Sequence, residues 1–216
     1  MSWATNPPNT IEVFTSNNSW SNITTNRHLR GLISGGVWGD NNPDDGNTID
    51  LLYYYFPEDN YPYGYYGEDI FAYEWTTSEK VAIENAMEAF SDVANISFTE
   101  TDNFDLANIS WASLDDDGSN TFMGTSGSII YGAAYQPFEG SIYSGICTVN
   151  FETYNSADYS AALNPGSFSY YVFLHELGHG LGLGHPHGSN AYYGTFPGVS
   201  NSSDAGANNL NSAPWT

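Results

Sequence analysis

His175-Glu176-Leu177-Gly178-His179-Gly180-Leu181-Gly182-Leu183-Gly184-His185 is the stretch on which the reading of this 216-residue chain turns. As a pattern it is HExxHxxGxxH, three histidines and one glutamate at spacings that suit a single tetrahedral zinc ion. Residues four apart share a helix face, so His175 and His179 present two imidazoles to one point. Glu176, one step round from the first ligand, can reach a metal-bound water without binding the metal. Gly182 can take a positive φ, which lets the chain leave the helix sharply and swing His185 back as the third ligand. At this chain's own residue frequencies, a chance match has a probability on the order of 10⁻⁵.

A plainer alternative is a short core helix whose histidines are simply satisfied. Two ligands, a base, and a turn leading to a third ligand in one pattern argue against it. The preceding residues suit a buried helix: Asn164-Pro165 offers an N-cap with proline at the first position, and Ser167 is a rival cap. Tyr170, Tyr171, Val172, Phe173 and Leu174 are continuously apolar or aromatic, as in a helix covered on most sides. The chemistry follows. Three neutral imidazoles leave zinc its charge and one open position for water. The ion lowers that water's pKa toward about 7 and polarises a carbonyl. Glu176 then serves as general base and returns the proton to the leaving amine, which hydrolyses a peptide bond without a covalent intermediate. The candidate catalytic residue is Glu176, and the candidate metal ligands are His175, His179 and His185.

The eleven-residue motif resembles the metzincin zinc signature, and the following Pro186 resembles its serralysin branch. Residues 31–39 (GLISGGVWG) and a strand at 51–57 are similar to the serralysin N-terminal region. Residues 90–100 (FSDVANISFTE) are similar to the exit of that family's first helix into a strand, and 107–111 and 147–151 fall where two further strands lie. The resemblance covers about residues 30–187 and implies a secreted zinc endopeptidase with a two-part catalytic domain. It also implies that an extended peptide adds as a strand to a sheet edge above the zinc, with 128–135 the candidate edge. Metzincins carry a methionine-containing turn after the third histidine, but the methionines here are Met1, Met87 and Met123. Serralysins place a zinc-binding tyrosine on that turn; Tyr192 and Tyr193 stand in surroundings that do not match. The nonapeptide repeats of a calcium-binding β-roll are missing too. The expectation is a catalytic-domain piece ending before the methionine turn and poorly active alone. Residues 1–30 would be an N-terminal arm, 31–187 an upper catalytic subdomain, and 188–216 the start of an incomplete, irregular lower subdomain.

Composition agrees with an extracellular enzyme. Hydrophobic residues make up 40 %, ample for one sizeable core. Arg27, Arg30 and Lys80 are the only Lys or Arg residues against 25 acidic ones, a formal charge of −22. Such a surface repels nucleic acid and anionic membranes and favours a soluble monomer, and it suits salty water, where screening relieves self-repulsion. No apolar run reaches the length of a membrane-spanning helix, and the N-terminus has no signal-peptide pattern. Serralysin-like proteins leave through a C-terminal signal, so the resemblance still implies secretion. Cys147, the single cysteine, alternates with Val149 and Phe151 and reads as a buried core thiol, the rival being an inhibitory zinc ligand.

Along the chain, 51–56 reads as a strand and 60–66, rich in tyrosine and proline, as a surface loop. Thr76 with Glu79 makes a capping box, and Ile83, Ala86 or Met87, Phe90 and Val93 recur at helical spacing as a core face. The acidic runs 40–47 and 115–118 offer calcium-type oxygens but read as solvated turns, so Ca²⁺ lacks a clear motif here. His28 reads as a surface residue, and His187 as solvent-exposed or as supporting the ligands. The whole predicts an α+β, metzincin-like domain: a mixed twisted sheet, a capping helix and a zinc-motif helix. Three functions fit. The first is a secreted zinc-dependent endopeptidase acting on extended polypeptides. The second is a catalytically silent zinc-containing extracellular binding module, and the third a zinc hydrolase of a non-peptide amide.

Overall fold

Strand β7 (Ile109–Leu114) shows how the fold is built, because all six of its residues are buried. A strand buried on both faces must be covered twice, and its side chains divide accordingly. Ile109 and Trp111 point into one apolar cluster, and Ala112 and Leu114 into another. The structure is a computed structural model that describes residues 10–13, 32, 36–39, 50–65, 68–138, 141–154, 163–187, 195–207 and 211. His28, the 40–47 loop, Tyr192 and Tyr193 lie outside the described residues.

Around β7 lies a five-stranded sheet in the order β6-β3-β7-β9-β8. Its other members are β3 (Asp50–Tyr55), β6 (Ile96–Glu100), β8 (Gly132–Ala134) and β9 (Ile146–Asn150). β3, β6, β7 and β9 run parallel; β8 pairs antiparallel with β9 and forms one edge. The sheet is therefore mixed, as expected. One face carries α1 (Thr77–Ser91) and α3 (Phe168–Gly180), whose Ile83, Met87, Phe173 and Leu177 pack on Trp111, Ile109 and Val149. Against the other face lie α2 (Asp116–Met123) and the hairpin of β4 (Tyr61–Tyr65) and β5 (Glu68–Ala72). A further antiparallel pair joins β1 (Thr10–Val13) to β2 (Gly36–Gly39).

Several local expectations hold and several are corrected. The Thr76/Glu79 capping box forms as read. Helix α1 stops at Ser91, so Val93 is 83 % exposed and not part of the core. The described part of stretch 60–66 is a strand, not a loop: Asn60, at φ 57°, turns the chain into β4 (Tyr61–Tyr65), and Tyr63 is buried, sharing a 2.6 Å hydrogen bond with the Ser110 hydroxyl. Run 115–118 is not a plain turn either. Asp115 caps α2, its Oδ1 accepting from Gly118 N at 2.7 Å, with Asp116 and Asp117 in the first turn where the helix dipole favours them. The candidate edge 128–135 narrows to β8, because Ser128 is tied instead to the Asn120 side chain. Helix α3 begins at the Ser167 cap, not at Asn164-Pro165.

The contact that sets α3 against the sheet is close. A Cβ placed on Gly180 would sit 2.7 Å from Cys147 Sγ and 3.3 Å from Ile109 Cδ1. Gly180→Ala gains helix propensity of up to about 1 kcal/mol but overpacks this contact by more, for an expected net loss of about 1–2 kcal/mol. Cys147→Ala in the same chain should recover part of that loss. Urea unfolding of the double-mutant cycle measures it, and strict additivity of the two substitutions would show that the contact is not tight.

Candidate active site

The site is built where α3 ends. Ser167 Oγ accepts from Tyr170 N at 3.2 Å and starts the helix. At the other end Leu181 is the last helical cap, and Gly182, at φ 107°, reverses the chain. Gly182 N donates to His179 O at 2.9 Å and Leu183 N to Gly178 O at 2.8 Å, the paired bonds of a Schellman ending. A side chain at position 182 would be strained in that backbone state. Two outside bonds hold the ending in place: Trp38 Nε1 donates to Gly180 O at 2.9 Å and Gly184 N to Leu32 O at 2.6 Å.

This turn brings His185 over His175 and His179. The three Nε2 atoms lie 3.0 Å (His175–His185), 3.1 Å (His175–His179) and 3.0 Å (His179–His185) apart. All three side chains thus offer a donor atom to one point, as the spacing predicts. The Leu183 carbonyl lies 2.8 Å from His179 Nδ1 and can only accept, so that nitrogen carries the proton and Nε2 keeps its lone pair. Burial lowers the pKa of all three rings, and for His175 and His185 neighbouring imidazoles lower it further, to about 4 in each. The triad is neutral near pH 7. Three neutral nitrogens this close cannot satisfy one another by hydrogen bonding alone, and a divalent cation resolves their mutual repulsion.

Glu176 is 5 % exposed and sits between the helix and the edge strand. A Cβ on Gly132 of β8 would lie 2.8 Å from Glu176 Cγ and 2.9 Å from its Oε1. Its Oε2 is buried with no hydrogen-bond partner among the described residues. Burial alone raises its pKa to about 8. A carboxylate placed so is costly for folding, and a bound cation nearby would draw its pKa back down.

The remaining candidates take supporting places. His187 is half-buried, stacks on His185 with ring centroids 5.0 Å apart, and donates from Nδ1 to Asn211 Oδ1 at 3.2 Å. Cys147 is fully buried as read; its thiol donates to Glu176 O at 3.3 Å and burial pushes its pKa well up, so it is no zinc ligand. Beyond β8 no further strand continues the sheet among the described residues. Sequence reasoning did not find Trp38, Gly132 or Gln136, whose Nε2 donates to Leu183 O at 2.9 Å. Each acts through a contact more than forty positions away along the chain, and no local pattern marks it.

Comparison with known proteins agrees with this geometry. Residues 69–204 match the family described as Peptidase_M10: Matrixin. A serralysin of Photorhabdus sp. (strain Az29) is 33 % identical over 157 residues, spanning 71 % of this chain and 29 % of the relative. The metallopeptidase AprA of Pseudomonas marginalis is 31 % identical over 122 residues, 55 % of this chain and 22 % of the relative. The chain thus spans about a third or less of the length of the curated relatives it matches. A solved structure of myroilysin overlaps with a TM-score of 0.40 at 12 % identity, covering 65 % of this chain and 52 % of that one, too loosely to bear on the chemistry.

Metal-stripped protein loaded with zinc and desalted should retain one equivalent by elemental analysis. His179→Ala should hold well under one, since it loses a ligand and its bond to Leu183 together. A full equivalent in that variant would place the metal elsewhere.

Proposed function

The chain belongs to the matrixin family as a serralysin-like metzincin metalloprotease catalytic domain, and from that premise we propose that it acts as a secreted zinc-dependent endopeptidase in which Glu176 is the general base. The ligands are His175, His179 and His185. The observation that carries this reading is the pairing of a three-imidazole donor set with a buried, unpartnered Glu176 Oε2. Structural zinc sites close with four protein ligands, whereas catalytic sites use three. Among the described residues no fourth His, Cys, Asp or Glu joins the group. A silent binding module would gain nothing from burying a carboxylate beside such a triad.

When bound, zinc supplies a Lewis acid for the scissile carbonyl and acidifies the attacking water. The chain's own residues do the rest. Glu176 accepts a proton from the water as the water oxygen bonds to the carbonyl carbon, and delivers that proton to the departing amine nitrogen as the C–N bond breaks. The wall of β8 against which the Glu176 side chain lies fixes where that transfer occurs. The substrate reading is an extended polypeptide paired along β8, since main-chain pairing is tolerant of sequence. Secretion rests on the serralysin likeness, and no helix among the described residues is long and apolar enough to cross a membrane. The charge of −22 supports the exclusion of nucleic acid and anionic membranes as partners.

Glu176→Gln keeps the shape and the ligands but cannot take a proton. It should retain a full equivalent of zinc while casein hydrolysis falls by about 10²–10⁴-fold. Near-normal hydrolysis would remove Glu176 from the mechanism. A peptide-like inhibitor, crystallised in complex, should hydrogen-bond along β8, residues 132–134. An inhibitor backbone paired to β6, or crossing the sheet, would refute the edge assignment.

A further inference from the structure

We propose that Gln136 is a positioning residue of the metal centre, fixing the carbonyl that orients His179 and so tying the edge strand to a ligand; the inference rests on the zinc reading above. The Leu183 carbonyl oxygen has two lone pairs, and both are used. One accepts from His179 Nδ1 at 2.8 Å and the other from Gln136 Nε2 at 2.9 Å. The first bond sets the tautomer and ring orientation of a ligand, and such partners are known to tune metal affinity. The second sets the direction of the acceptor itself.

The Leu183 peptide needs this help because it lies just past the reversal at Gly182. Its N–H is held by Gly178 O, and the next N–H, on Gly184, by Leu32 O. The first bond fixes the preceding peptide group and the second the N–H edge of the peptide that carries the Leu183 carbonyl, while Gln136 holds the oxygen edge of that same peptide. Gln136 itself starts from a firm base. Tyr135 N donates to Ile146 O at 2.9 Å, and Tyr135 O accepts from Gly145 N at 2.8 Å. Pro137, fully buried, follows and holds residue 136 extended. The side chain therefore reaches Leu183 from an end of the sheet that cannot easily drift.

The test measures zinc release from the loaded protein to a chelating chromophore, beside the visible spectrum of the cobalt-substituted protein. Gln136→Leu keeps bulk and removes the donor. Gln136→Glu keeps the shape and offers oxygen to a carbonyl that needs a donor, and it carries the test if the leucine variant folds poorly. Both should release zinc about 3–10-fold faster and shift the cobalt d–d bands, while Gln136→Lys, which restores a donor, should return both readouts toward the parent. A residue that merely stabilises the surface would change the melting temperature of the metal-free protein without moving the cobalt spectrum. Parent and variants alike in release rate and spectrum would overturn the proposal alone. A parent protein that takes up neither metal would overturn the zinc reading and this proposal with it.

Discussion

Three imidazole nitrogens lie 3.0–3.1 Å apart because the helix carrying two of them ends at Gly180 and the chain reverses at Gly182. The reversal needs a φ of 107°, which a side chain would resist, and it is closed by bonds back to His179 O and Gly178 O. The same turn puts the Leu183 carbonyl under His179 Nδ1. Ligand spacing, ligand tautomer and the position of the third ligand are therefore consequences of one helix ending. Trp38 and Leu32 pin that ending from the N-terminal part of the chain, which makes those residues part of the site although they touch none of its reacting groups.

The helix also decides the electrostatics. Its inner face packs on Trp111, Ile109 and Val149, so the residues facing the cleft are partly withdrawn from water. Withdrawal keeps the histidines neutral and therefore able to bind a cation. It also leaves the Glu176 carboxyl with a raised pKa and one oxygen unpartnered among the described residues. The buried, unpartnered carboxyl destabilises a metal-free fold near neutral pH, and a bound cation would relieve it. Free energy lost in burying that carboxyl would be regained on metal binding, which would link occupancy of the site to stability of the domain.

Much of this was legible in the sequence, for a physical reason. Helix periodicity and glycine's freedom are local rules, so the triad, Glu176, the Gly182 turn and the capped helix at Thr76 could all be read from short windows. The α+β class followed from where the apolar runs fell. Contacts across the fold have no such signature. The tyrosines of 60–66 looked like a loop because Pro62 and Gly64 interrupt the run with turn-forming residues, and Tyr63 is buried only once Ser110 is brought to it. The acidic run 115–118 looked like a turn because aspartates cap helices as readily as they make turns, and only the tertiary setting chooses. Val93 kept the helical spacing but fell two residues after the helix had ended. Gln136 and Gly132 carry no motif at all; their importance comes from which side chains the sheet edge meets.

Zinc K-edge X-ray absorption on the loaded protein tests the central claim most directly, because it counts ligand types around the metal itself. The account predicts three imidazole nitrogens at about 2.0–2.1 Å with one further light atom and no sulfur. A sulfur shell near about 2.3 Å, or fewer than three imidazoles, would contradict it.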